Sequence, residues 1–123
     1  MDTKIIRVEE PHIQMSLLRQ AGEIIRAGGL VAFPTETVYG LGGDALSPES
    51  SKKIYAAKGR PSDKPLIVHI YRMEDLAFLV SEIPETAVKL AEAFWPGPLT
   101  MIFHKSEAVP YETKGGLDRK SIV

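Results

Sequence analysis

An α/β domain, with helices covering a largely buried sheet, is predicted by three features of the sequence. Short apolar runs, "LVAF" (30–33), "LIVHI" (66–70) and "LTMIF" (99–103), have the length of strands. Other segments repeat apolar residues at helical spacing, and the two kinds alternate along the chain, as they do where helices pack on a sheet.

The elements follow in order. "KIIRV" (4–8) reads as a short strand, and Leu17, Leu18, Ala21, Ile24 and Ile25 then mark a helix that stops at Gly28-Gly29. "LVAF" reads as a buried strand. Ser47, Pro48 and Glu49 supply a cap, a first-turn proline and a first-turn acid in the right order for a helix through "ESSKKIYAAK", which ends near Gly59. "LIVHI" is the next strand and "MEDLAFLV" a short helix. Pro84 opens another helix, with Ala87, Val88, Ala91, Phe94 and Trp95 on one face, and "PGP" (96–98) stops it. "LTMIF" is a strand, "HKSEAVPYETKGGLDRK" a polar loop, and "SIV" has the pattern of the first half of a strand, so the domain is expected to continue beyond Val123.

Composition narrows the chemistry. The 123 residues are 44% hydrophobic and 25% charged, which suits one modest globular core, residues 1–123. With no cysteine, disulfides, thiolate metal sites and a cysteine nucleophile are excluded. His12, His69 and His104 lack metal-ligand spacing. No apolar run approaches the ~20 residues that span a bilayer, and "MDTKIIRVEEPH" has no apolar signal core, so a cytoplasmic protein without a membrane partner is expected.

Charge is unevenly spread. Residues 1–51 carry four basic and seven acidic groups, 52–72 six and one, and 73–123 five and eight. Lys52, Lys53, Lys58, Arg60, Lys64 and Arg72 thus face only Asp63, a pattern suited to phosphate or nucleic acid. Lys52 and Lys53 read equally well as a solvated helix face. Lys58, Arg60 and Lys64 crowd a short loop stiffened by Pro61 and Pro65, where an Arg fork and Lys point charges suit a polyphosphate.

The segment "PTETVYGLGGDAL" (34–46) is the most informative. Gly40, Gly42 and Ala45 match G-x-G-x-x-A, but a dinucleotide loop turns straight from strand to helix, whereas here "PTETVY" follows the strand and the helix begins only after Ala45. No P-loop pattern is present. What remains is two hydroxyls, Thr35 and Thr37, beside glycines that allow close approach to the backbone. They read either as part of a pocket for a small polar substrate or as turn residues bonded to neighbouring backbone. His69, alone in an apolar strand, reads more simply as a core residue than as a ligand. Tyr39, Tyr55, Trp95 and Tyr111 could stack on bases, with nothing in their spacing to favour that over packing, and Trp95 is expected to anchor the core.

Together, "PTETVYGLGGDA", "KGRPSDKPLIVHI" and "FWPGPLTMIF" resemble the YrdC-like family of threonylcarbamoyl-AMP synthases, in the family's order and spacing. The resemblance implies a twisted mixed sheet flanked by helices around a concave surface. It implies an enzyme that joins L-threonine, bicarbonate and ATP into threonylcarbamoyl-adenylate and releases pyrophosphate. Partner proteins would pass the threonylcarbamoyl group to tRNA. By motif, Thr37 and His69 would contact threonine, with Thr35 lining the same pocket. Lys58, Arg60 and Lys64 would hold ATP phosphates, Lys58 and Arg60 offsetting charge in the reaction, and Ser121 would meet the nucleotide. Mg²⁺ would come with ATP, and no protein-bound metal is implied. The family's downstream arginine and Ser-x-Asn motif have no counterpart among these residues. Two other readings are an RNA-binding module without catalysis and a YrdC-like domain that transfers carbamoyl groups.

Overall fold

The computed structural model describes residues 2–9, 14–59, 65–114 and 119–122. They belong to two compact units, Met1–Asp44 and Ala45–Val123.

In the first unit, helix α1 (Met15–Arg26) carries its basic Arg26 in the last turn, where it complements the helix dipole. Gly28 takes the left-handed conformation at φ 91°, and Gly29 N donates to Ile24 O at 2.8 Å, closing the helix end. Strands β1 (Val31–Phe33) and β2 (Gly40–Gly42) form an antiparallel hairpin with Phe33 opposite Gly40 and Val31 opposite Gly42. Two expectations fail here. Residues 4–8 form no strand, and Ile5 is 91% exposed. β1 is only partly covered, with Ala32 exposed. Apolar and β-branched content favours extended backbone, but a strand exists only where a partner pairs with it.

In the second unit, helix α2 (Pro48–Lys58) starts as its sequence dictates. Ser47 Oγ accepts from Ser50 N at 3.3 Å, Pro48 and Glu49 fill the first turn, and Gly59 at φ 61° ends it. Helix α3 (Met73–Leu79) is capped by Asp75, whose carboxylate accepts from Arg72 N at 3.2 Å and from its guanidinium at 3.3 Å. Desolvation would raise the Asp75 pKa, but the bonds and charge of Arg72 outweigh it and hold the carboxyl below its usual value. Helix α4 (Glu85–Phe94) ends at Trp95, whose Nε1 donates to Leu99 O at 2.8 Å. Trp95 packs half-buried against the core, its polar edge satisfied.

Strand β3 (Met101–His104) pairs antiparallel with β4 (Arg119–Ile122), Met101 opposite Ile122 and Ile102 opposite Ser121. Val68 adds a parallel bridge to Ile122, so the arrangement is mixed, although "LIVHI" contributes this single bridge and not a full strand. Val68, Met101, Phe103 and Ile122 turn to the core and meet Leu76 of α3 and Ala87 and Ala91 of α4. Each large apolar side chain so buried contributes about 1.5 to 3 kcal/mol relative to exposure. Within the expected polar loop, Tyr111–Lys114 forms a one-turn helix, α5.

Candidate functional site

The hairpin loop 34–39 is built from its own residues. Thr35 Oγ1 donates to Val38 O and accepts from Thr37 N at 3.3 Å, so this hydroxyl closes the turn as a threonine in a loop readily does. Thr35 and Thr37 are both exposed, as are Val38 and Tyr39 at the loop's end. The glycines that follow serve the hairpin itself. A Cβ on Gly42 would lie 2.8 Å from Phe33 Cε1, and one on Gly40 would lie 3.1 Å from the same ring and 3.4 Å from Thr35 Cγ2. The Phe33 ring lies over the space that side chains at 40 and 42 would fill. The spacing of Gly40 and Gly42 thus has a packing cause inside the hairpin.

Lys58 ends α2, exposed, at the helix C-terminus, where a cation is favoured. At the other end of the same helix, Lys52 pairs with Glu49 at 3.7 Å on a solvated face. Arg60 and Lys64 lie outside the described residues.

His69 does not enter the core. In the extended stretch 65–70, Val68 is buried and His69 exposed, an alternation that β3 repeats with Met101 and Phe103 buried and Ile102 and His104 exposed. The bridge from Val68 to Ile122 sets the stretch carrying His69 beside the strand carrying Ser121. In this parallel register Ile67 lies level with Ser121, and His69 follows one position beyond Ile122's partner.

Behind that face is a junction that the sequence did not disclose. Thr113 is 1% exposed. Its Oγ1 donates to Ala45 O at 2.6 Å and lies 2.7 Å from Ser51 Oγ, and its O accepts from Leu66 N at 3.2 Å. A threonine in a polar run carries no mark of burial. The one hint was the preceding "VP", an apolar residue and a turn residue ahead of it.

Of the aromatic side chains, Tyr55 is buried, whereas Tyr39 and Tyr111 are exposed. His104 ends β3, and His12 lies outside the described residues. Among the described residues no three His, Asp or Glu side chains gather as metal ligands, and no helix is long and apolar enough to cross a membrane.

Residues 23–122 match the Sua5_yciO_yrdC family, described as "Telomere recombination". The chain is 54% identical over 120 residues to threonylcarbamoyl-AMP synthase of Pyrococcus abyssi (strain GE5 / Orsay), covering 98% of this chain and 35% of that protein. It is 48% identical over 106 residues to threonylcarbamoyl-AMP synthase of Bacillus subtilis (strain 168), covering 85% of this chain and 31% of that protein. The crystal structure of P. abyssi Sua5 complexed with L-threonine superposes with a TM-score of 0.93 at 54% identity, over 98% of this chain and 35% of that one. The chain thus spans about a third of the length of these relatives. With a family match across residues 23–122, the chain belongs to the Sua5/YciO/YrdC family.

Proposed function

We propose that the chain forms part of a threonylcarbamoyl-AMP synthase that makes threonylcarbamoyl-adenylate from L-threonine, bicarbonate and ATP. The observation that carries this reading is the 54% identity and 0.93 TM-score, over 98% of the chain, to a Sua5 structure that holds L-threonine. The neutral amine of threonine forms a carbamate, by adding to carbon dioxide with loss of a proton or by reacting with bicarbonate with loss of water. A carbamate oxygen then attacks the α-phosphorus of ATP, the bond to the β-phosphate oxygen breaks, and pyrophosphate leaves. No side-chain nucleophile is required, so the protein's work is to position the reactants and stabilise charge.

In this reading Thr37 and His69 contact threonine. Thr35, its hydroxyl engaged in the turn, lines the pocket and holds the loop in shape. Lys58 and Arg60 offset charge on the phosphates, with Lys64 and Ser121 as further nucleotide contacts. Mg²⁺ enters with ATP, its ligands coming chiefly from the phosphate oxygens. The product passes to proteins that transfer the threonylcarbamoyl group to tRNA in the cytoplasm.

The test is pyrophosphate release from ATP by the whole protein, with bicarbonate and either L-threonine or L-valine. Release should depend on threonine and be much slower with valine, which lacks the hydroxyl. Lys58→Ala should weaken ATP use on the order of tenfold or more, whereas Lys52→Ala should leave it nearly unchanged. Release indifferent to threonine sinks the assignment. Salt-sensitive RNA binding without ATP turnover would point instead to an RNA-binding module.

A further inference from the structure

We infer that Thr113 is a positioning residue, holding the helix that ends in Lys58 in register with the stretch that carries His69. The inference rests on the phosphate and threonine roles proposed above for those two residues.

Hydrogen bonds to Pro110, Leu66, Ala45 and Ser51 converge on Thr113. Its N donates to Pro110 O at 3.2 Å and its O accepts from Leu66 N at 3.2 Å. Its Oγ1 lies 2.6 Å from Ala45 O and 2.7 Å from Ser51 Oγ. A carbonyl can only accept, so the single Thr113 hydroxyl proton goes to Ala45 O. Ser51 must then donate to Thr113 Oγ1, which leaves one consistent arrangement of protons. Ser51 and Thr113 are each 1% exposed, so a partner lost between them is not replaced cheaply by bulk water. A fully satisfied buried network of this kind specifies geometry more narrowly than apolar packing does.

The pieces joined are the ones that carry the proposed ligands. Ser51 lies in the first turns of α2, and Lys58 is the last residue of that helix. Eleven helical residues form a rod about 16 Å long, so a displacement of its first turn is carried to its end. Leu66 begins the stretch that reaches His69, and that stretch is pinned again at Val68 by the bridge to Ile122. Thr113 is thus hydrogen-bonded to both α2 and this stretch through its own atoms.

Calorimetric titration of the whole protein with L-threonine tests the role, using wild type, Thr113→Val, Thr113→Ser and Ser51→Ala. Circular dichroism fixes a temperature at which each is folded. Thr113→Val keeps the shape and removes the hydroxyl, and should weaken binding on the order of tenfold; Thr113→Ser should stay within about threefold of wild type. Backbone amide resonances of residues 66–70 should shift in the Val variant and not in the Ser variant. If Thr113→Val does not fold, Ser51→Ala carries the test, since it removes the donor and leaves the bond to Ala45. Its binding should also weaken. Wild-type affinity in Thr113→Val, or in Ser51→Ala where that variant stands in, overturns the positioning role alone. Equal loss in the Val and Ser variants assigns the effect to packing and also overturns it. A wild-type whole protein that does not bind L-threonine overturns the functional reading, and the positioning role with it.

Discussion

The hairpin loop at 34–39 and the junction at Thr113 meet the same demand in opposite ways. In each a threonine hydroxyl needs a partner. Thr35 finds it three residues away, on an exposed turn, where water stands ready to replace whatever is lost. Thr113 finds its partners far back in the chain, at the half-buried Ala45 and the buried Ser51. The difference teaches that a hydroxyl's energetic weight follows from its surroundings more than from its bond. The exposed bond shapes a loop, and the buried ones fix how separate elements meet.

The widest gap should appear on deleting each hydroxyl. Thr113→Val leaves Ala45 O and the buried Ser51 Oγ short of a partner, and should lower stability by about 1 to 3 kcal/mol. Thr35→Val should change it by no more than about 0.5 kcal/mol. Urea unfolding of the two variants checks this, and equal losses would break the comparison. A smaller effect is expected where the hairpin has its own tight spot. Gly42→Ala drives a methyl against Phe33 and should cost about 1 to 2 kcal/mol. In a Phe33→Leu background the same substitution should cost clearly less. Additive losses in that double-mutant cycle would show that the ring is not what requires glycine at 42.

The smallest effect concerns the exposed cap of α3. The Asp75 carboxyl titrates below its ordinary 3.8 in the folded chain, so the stability it contributes is complete above 3.8 and fades as pH falls through the lower folded value. Asp75→Asn should flatten that part of the pH profile and leave the neutral range little changed. Thermal unfolding across acid pH reads it directly. An unchanged acid limb in Asp75→Asn would remove the cap from the account.

What the sequence made legible follows the same division. Ser47, Pro48, Glu49 and Gly59 marked α2 because caps and left-handed stops are written in adjacent residues. The loop threonines were readable as a turn for the same reason. "KIIRV" was misread because extended tendency names no partner, and β2 went unseen because its glycines looked like loop, their cause lying across the hairpin in Phe33. His69 looked like a core residue until the alternation around Val68 placed it outside. Thr113 and Ser51 depend on contacts between distant segments, which no local pattern records. The family motifs made Thr35, Thr37, Lys58 and His69 candidates, and the structure leaves all four exposed.

The alternation along β3 and the stretch beside β4 has a consequence for how this surface can change over generations. Val68, Met101, Phe103 and Ile122 are held by the interior, while Ile67, His69, Ile102 and His104 stand between them on the open side. Substitutions at the second set can alter shape, charge and hydrogen bonding without asking the interior to rearrange. Two sets of positions thus run along one backbone, one that keeps the strands in place and one whose side chains set the surface chemistry without moving them.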